Sequence, residues 1–332
     1  MNVITAEWSE WFIVFLGSVL WLCAGVSVSM PWFSAHLAFW GRRENNADDI
    51  KFARRLSGLC LASLVPVVLI GAALSLLAST MQPAVFFSSV IALVRPLGAS
   101  LLLLLVFVVL ASAHSRNRGW GLKFGFAHLM MVPAGVLMAL GAGLVWVFAL
   151  SCMGPHLLDS EGGWNLRFWS YSSFWWPVAH FYLSAFSVGG LVLMFLGGKA
   201  FRWESSVSVA NGARWVRLGA RFSLSFLMIQ AGLAGVWLFF RGSDFMAGML
   251  ASGGTAFVTL LIIGAVSAVL LFELLLGALR RDGSVRIAGS LAIFLVFILA
   301  VSVNSARLTL NQNDFSIFQP DASAGQAQGR SR

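Results

Sequence analysis

The sequence has 332 residues, of which 59% are hydrophobic and only 11% are charged, and its mean hydropathy is +0.85. A composition of this kind is typical of polytopic membrane proteins and excludes an ordinary soluble domain. The formal net charge of +9 does not call for a nucleic-acid partner, because the basic residues gather beside predicted membrane spans, where they also attract anionic lipid. We therefore expect membrane lipid, and no nucleic acid, around this chain.

Apolar runs long enough to cross a bilayer, about 20 residues each, recur along the chain. They predict an all-α fold, a polytopic membrane bundle of about eight transmembrane helices forming a single domain over residues 1–310. The polar, small-residue-rich segment 311–332 is predicted to be a disordered periplasmic tail. In chain order, the predicted spans are 11–39, 57–79, 86–113, 123–151, 174–197, 215–240, 246–279 and 287–306.

The positions of the basic residues predict how these helices are oriented. Most of the 22 Lys and Arg residues lie in the connections after the first, third, fifth and seventh spans, as Arg42, Arg43, Lys51, Arg54 and Arg55 do. Because cytoplasmic connections carry an excess of positive charge, we expect these four connections inside and both termini outside. In a bacterium, the chain would then cross the inner (cytoplasmic) membrane with periplasmic N and C termini.

The fifth span carries an imidazole near its outer end, in the stretch "WWPVAHFYLSAFSVGGLVLM". Ser184 and Ser187 share the helix face of His180, and Gly189 and Gly190 follow two and three residues after Ser187. A neutral imidazole is a common ligand of haem iron, and the small residues would leave room for a porphyrin or for a close neighbouring helix. In the alternative, His180 hydrogen-bonds another helix and the small residues serve packing alone.

The other histidines fall on both sides of the predicted membrane. His156 lies in the outer loop before the fifth span, where it can assist His180 or face water. His36, His114 and His128 lie near the inner ends of the first, third and fourth spans. These three are candidates for a second site, or else extend toward the lipid headgroups.

Further polar groups within spans are functional candidates because each is costly in a membrane. Glu273 in the seventh span suits a proton or quinone path, with Arg221 nearby, or it pairs with an inner arginine such as Arg221 or Arg280. Arg95, near the outer end of the third span, is a candidate partner for a haem propionate or an interfacial residue. Gln230, in the sixth span, is a candidate ligand or an interhelical hydrogen-bonding group.

Three stretches together resemble subunit I of the cytochrome bd quinol oxidases and the smaller membrane cytochromes like it. "FWGRRENNADDIKFARRLSGLCLASLVPVVLIGAAL" is similar to the family's inner loop and second helix, and "HLMMVPAGVLMALGAGLVWVFALSCMGP" to its fourth helix. "FWWPVAHFYLSAFSVGGLVLMFLG" is similar to its fifth helix, whose outer histidine is an axial ligand of the low-spin haem b. The resemblance implies that His180 is a haem b ligand and that the N terminus lies outside.

Departures from the family pattern limit what this resemblance implies. No histidine occurs between Trp11 and Cys23, the third span contains no carboxylate, and only "FRGSDF" separates the sixth and seventh spans where the family has a long quinol-binding loop. An oxygen-reducing pair of haems is therefore not expected. Met246 and Met249 lie at a suitable depth to oppose His180 as the second axial ligand.

These observations leave three functional hypotheses. In the first, the chain is a membrane electron-transfer subunit of a respiratory chain, a quinol-linked oxidoreductase subunit with non-covalent haem b that passes electrons between the quinone pool and a c-type cytochrome or another periplasmic respiratory partner. In the second, it is a haem-free anchor or assembly subunit of a respiratory complex. In the third, it is a transporter, which would require broken helices around a midplane polar site.

Overall fold

The computed structural model describes residues 3–81, several positions between 87 and 115, and residues 172–203, 209–252 and 254–280. Every regular element among these residues is helical, in agreement with the predicted all-α class. The fourth and eighth predicted spans and the tail 311–332 lie outside the described residues. The five long helices are α1 (Val3–Arg43), α2 (Ala47–Met81), α3 (Ser172–Trp203), α4 (Val209–Ser252) and α5 (Gly254–Arg280).

Four of these helices contain a stretch long and apolar enough to cross a membrane. Large apolar side chains on their outer faces are exposed, among them Leu69 and Leu76 on α2 and Val269 on α5. In water such a surface would be unfavourable, whereas in a bilayer it is solvated by lipid tails. The described helices are thus those of a multi-pass membrane protein. The four stretches are Phe15–Arg43, Ala47–Leu77, Ala179–Lys199 and Ile262–Arg280.

The connection between α1 and α2 is a turn of three residues, much shorter than the predicted inner loop. The N–H of Asn46 donates to the Gly41 carbonyl at 2.7 Å, and the N–H of Asn45 donates to the Arg42 carbonyl at 3.3 Å. Asn45 has a φ of 52°, in the left-handed region that asparagine tolerates better than most residues. These bonds form the Schellman arrangement that ends a helix, so that α1 stops at Arg43.

The start of α2 is capped within the same turn. The Asn46 side-chain oxygen accepts hydrogen bonds from the N–H groups of Asp48 at 3.1 Å and Asp49 at 3.4 Å, as an N-cap residue does. Asp48 and Asp49 also place negative charge in the first turn, where the helix dipole favours it. Lys51, Arg54 and Arg55, which the sequence assigned to a loop, consequently lie in the first turns of α2.

Helix α4 also extends further than expected. It continues without interruption through "FRGSDF", which was predicted to be the connection between the sixth and seventh spans, and ends at Ser252. A short polar or glycine-containing segment can remain helical because the backbone hydrogen bonds are made within the helix itself. The break between α4 and α5 therefore lies about ten residues later than the sequence pattern indicated.

Small side chains bring α1 and α2 together in an antiparallel pair. Ser34 donates to the Ala53 carbonyl at 2.7 Å and contacts Ser57 Oγ at 2.9 Å. About two turns along the helix, the Ser27 and Ser63 hydroxyls are 2.6 Å apart. Interhelical hydrogen bonds and close packing of small residues drive helix association in membranes, where burial of apolar surface does not.

Helix α3 lies between α1 and α4 and contacts both. It runs parallel to α1, because Gly25 and Ser29 of α1 lie against Ala185 and Gly189 of α3, respectively. It runs antiparallel to α4, and α4 in turn packs on α5 through a cluster that includes Val216, Leu271 and Leu275. We call the end of the bundle that holds the Glu44–Asn46 turn the turn end, and the opposite end, where α3 begins, the far end.

Candidate functional site

His180 lies on α3 about two turns from the far end of the bundle, where it meets α4. The side-chain nitrogen of Gln230 is 2.9 Å from His180 Nδ1 and 3.2 Å from Nε2. The same nitrogen donates to the Ser184 hydroxyl at 2.6 Å, and that hydroxyl donates to the His180 carbonyl at 2.5 Å. Because an amide nitrogen only donates, the ring nitrogen that receives its hydrogen bond is unprotonated.

Trp21 on α1 covers one face of the His180 ring. The two ring centroids are 6.0 Å apart and the planes are inclined by 18°, which is a stacked arrangement. The Trp21 indole nitrogen is buried and, among the described residues, has no hydrogen-bond partner; the same holds for the hydroxyl of Tyr182. A buried donor without a partner is costly, so each of these two atoms is a place where an acceptor oxygen would be stabilising.

These surroundings fit a single axial imidazole. For a ring nitrogen to bind iron, the other must carry the proton and donate it, and the Gln230 amide oxygen, once turned toward the ring, can accept that hydrogen bond. The unpartnered indole N–H of Trp21, next to the ring, suits a carboxylate such as a haem propionate.

The glycine pair further along α3 accommodates close neighbouring helices, the second of the two roles predicted for it. A Cβ added at Gly189 would overlap the Ser29 hydroxyl on α1. A Cβ at Gly190 would lie 2.6 Å from the Gly219 carbonyl oxygen and 2.7 Å from the Ser223 nitrogen on α4. Neighbouring helices therefore fill the space beside both glycines. Any cofactor bound by His180 would have to lie nearer the far end.

A second polar cluster, which the sequence analysis missed, lies at the turn end. Asp49 is fully buried, and its two oxygens accept hydrogen bonds from Trp215 Nε1 at 2.6 Å and from an Arg214 nitrogen at 2.8 Å. Arg214 also donates to Glu44 at 2.7 Å, and the Trp215 ring stacks on Phe52 with centroids 3.9 Å apart. The carboxylate is thus paired on both oxygens, as a buried charge must be.

The rest of this cluster ties the α1–α2 turn to the start of α4. Asn211 donates to the Asp48 carboxylate at 2.8 Å, and the Asn46 amide donates to the Asn211 side-chain oxygen at 3.0 Å. The arrangement joins two hairpins rather than holding a ligand. The sequence indicates this cluster only through two acids at the start of α2 and the Arg214–Trp215 pair at the start of α4. Both segments are rich in Lys and Arg, so these residues were interpreted only as part of a basic connection.

The candidate residues for a proton or quinone path do not meet. Glu273 on α5 and Arg221 on α4 are both exposed, and within the described part of the chain the Glu273 carboxylate forms no ion pair with Arg221 or Arg280. His36, from the proposed inner site, is exposed on α1 and contacts the rings of Trp40 and Phe222. The inner site as proposed also includes residues outside the described part, so it stays a prediction.

Several other candidates can be located only in part or not at all. Met246 and Met249 lie in the last turns of α4 rather than at the start of the next span. His114, His128, His156 and Arg95 lie outside the described residues. Among the residues that are described, no group of three or more His, Cys, Asp or Glu side chains is arranged to hold a metal ion.

Searches against protein-family models and against curated protein sequences find no match for this chain.

Proposed function

We propose that this protein is a membrane electron-transfer subunit of a bacterial respiratory chain, in which His180 is the axial ligand of a non-covalent b-type haem. Electrons would pass between the quinone pool and a periplasmic acceptor such as a c-type cytochrome, with the protein in the inner membrane and both termini periplasmic. The observation that carries the proposal is the hydrogen-bonded imidazole of His180, held on a membrane helix between Gln230 and the Trp21 ring.

The chain's own residues have distinct tasks in this proposal. A bound haem would supply reversible one-electron chemistry. With its amide oxygen turned toward the ring, Gln230 would orient the imidazole and determine which ring nitrogen carries the proton, as the hydrogen-bonding partners of histidine ligands commonly do. In the structure the Ser184 hydroxyl accepts a 2.6 Å hydrogen bond from the Gln230 amide nitrogen; with the amide turned, that hydroxyl would donate to the amide oxygen instead. Trp21 packs against the ring and excludes lipid and water from that side.

A second function, a haem-free anchor or assembly subunit, is favoured by one specific observation. The His180 ring already has a hydrogen-bond partner in Gln230, so the two residues can serve as an interhelical link without any cofactor. Such links are common in membrane bundles. The two functions differ in what the removal of the imidazole would change: haem content in the first, and only the stability of the bundle in the second.

The test is a His180→Gly variant purified in detergent from cells supplied with haem, with and without added imidazole. We expect the reduced-minus-oxidised b-type band to fall to background in the variant and to return when imidazole occupies the vacated position, because free imidazole can replace the missing ligand. Ser187→Ala is the matched control: Ser187 shares the helix face but contacts Ser223 instead, at 3.2 Å between hydroxyls. An unchanged band in His180→Gly would exclude His180 as the ligand, and a folded wild type without haem would favour the anchor function.

A further inference from the structure

Six rings form a row in the groove where α1 and α4 approach each other across α3. On α1 the contributing residues recur every four positions and therefore share one helix face, as do the two on α4. The helices run in opposite directions, so that Trp32 is level with Phe226 and His36 is level with Phe222. We call this row the aromatic groove; it consists of Trp32, His36 and Trp40 on α1, Phe186 on α3, and Phe222 and Phe226 on α4.

Consecutive rings in the groove contact one another. Phe186 is 6.0 Å from Trp32 and 4.9 Å from Phe226, measured between ring centroids. Phe226 is followed by Phe222 at 6.3 Å, and Phe222 by His36 at 6.1 Å. These separations lie in the range of favourable ring packing. None of the six is fully buried, so the row is a continuous aromatic surface open to the bilayer.

His36 is the one polar ring of the groove. It is exposed, and within the described part of the chain its imidazole contacts rings but makes no hydrogen bond or ion pair. Its position is roughly 10 Å along the axis from the end of α1 at Arg43, given a rise of about 1.5 Å per residue, and it lies within the stretch Phe15–Arg43 that is apolar enough to span a membrane. A polar group at such a depth is costly unless something bonds to it.

Two of the charged groups beside the groove have partners, and a third, the exposed Arg221, projects about 100° around α4 from its neighbour Phe222. At its turn end, the Arg43 guanidinium lies over the Trp40 ring, 5.2 Å from the centroid. Arg214, about two turns before Phe222 on α4, is paired with Asp49 and Glu44. Within the row itself, a ligand meets one hydrogen-bonding group, the His36 imidazole, among aromatic faces, and the rings of Phe222, Phe226 and Trp32 beyond it. This pattern suits a flat, uncharged headgroup with an apolar tail better than a phosphate.

We propose that the aromatic groove binds an isoprenoid quinone of the membrane pool. The quinone carbonyl accepts a hydrogen bond from the His36 imidazole, or a quinol hydroxyl donates one to it. The headgroup ring packs on Phe222, and the isoprenoid tail follows Phe226 and Trp32 toward the membrane centre. This inference rests on the proposed function, because it assigns to these residues the exchange with the quinone pool that the function requires.

The experiment is a binding titration of detergent-purified protein with decylubiquinone and with a short-chain menaquinone, read by equilibrium dialysis. His36→Leu removes the hydrogen-bonding group and is expected to weaken binding of the preferred quinone by about tenfold, the usual net value of one hydrogen bond. His36→Gln keeps a donor and an acceptor and should stay close to wild type. Phe12→Leu, an exposed aromatic on the same helix but far from the groove, is the matched control.

The outcomes separate this inference from the haem assignment, since the titration is read whether or not haem is present. Quinone binding that is weakened only by His36→Leu, in a protein without haem, would support the groove while overturning His180 as a haem ligand. A haem-containing protein that binds neither quinone, or binds it equally in all variants, would overturn the groove alone. Native mass spectrometry showing a phospholipid that is lost in His36→Leu, with no quinone binding, would also overturn it.

Discussion

Asp49 is the single residue whose replacement we expect to destabilise the described bundle most clearly. Asp49→Ala leaves the Trp215 indole N–H unpaired in a buried position and removes one partner of Arg214. Loss of one member of a buried pair costs about 3–5 kcal/mol; because the Arg214 side chain is 36% exposed, we expect about 2–3 kcal/mol here. The measurement is the free energy of unfolding in mixed micelles titrated with SDS.

Glu44→Ala is the control for this prediction, since Glu44 binds the same arginine from the surface. Its side chain is 45% exposed, and exposed ion pairs contribute under about 1 kcal/mol. Equal losses in the free energy of unfolding for the two variants would mean that burial of the Asp49 carboxylate is not what makes Asp49→Ala destabilising. Trp215→Phe, which removes only one donor to Asp49 and keeps most of the ring on Phe52, should lie between them.

At the level of single residues, the sequence identified polar groups within helices but not their contacts. His180 stood out because an imidazole in an apolar helix is costly, and Gln230 could be recognised as an interhelical group for the same reason. That the two bond each other required the antiparallel register of α3 and α4. Asp49 was not recognised, because one acid among many basic residues carries no sign that it is buried.

At the level of helices, α3 and α4 approach each other backbone to backbone at Gly190 and Gly219. A Cβ at Gly190 would meet backbone atoms of α4 at 2.6 Å and 2.7 Å, and backbone cannot rotate away as a side chain can. We therefore expect Gly190→Ala to separate the helices and to lower the free energy of unfolding by about 1–3 kcal/mol, the usual cost of overpacking.

The matched control is Gly277→Ala on α5, where an added Cβ would have no neighbour within 4 Å. There the better helix propensity of alanine should leave stability unchanged or raise it by up to about 1 kcal/mol. Both variants are measured by the same SDS titration. Equal destabilisation by the two substitutions would mean that the α3–α4 contact is not as close as described.

Helix existence was predictable from apolar runs, whereas helix ends were not. The first, second and fifth predicted spans correspond to α1, α2 and α3, because about 20 apolar residues in a row are an unambiguous signal. Their ends were placed too early or too late, since helices continue into polar segments outside the apolar core. The passage of α4 through "FRGSDF" is the clearest case, as a local polar stretch does not by itself end a helix.

At the level of the whole molecule, the orientation in the membrane remains a prediction that one labelling experiment can test. The turn end carries Arg42 and Arg43 and the basic first turns of α2, so the positive-inside rule predicts that it is cytoplasmic. Glu44→Cys in a background without the three native cysteines should therefore not react with a membrane-impermeant maleimide in intact spheroplasts. It should react after permeabilisation. Labelling in intact spheroplasts would reverse the orientation and with it the periplasmic side assigned to His180.

The central claim is that His180 binds a b-type haem, and the most direct measurement is a dithionite-reduced minus oxidised absorbance spectrum of the purified wild type, with haem quantified as its pyridine haemochrome. We predict a b-type spectrum and about one haem per chain, in keeping with one axial histidine at this site. Folded protein without haem, purified from cells in which haem was available, would contradict the claim.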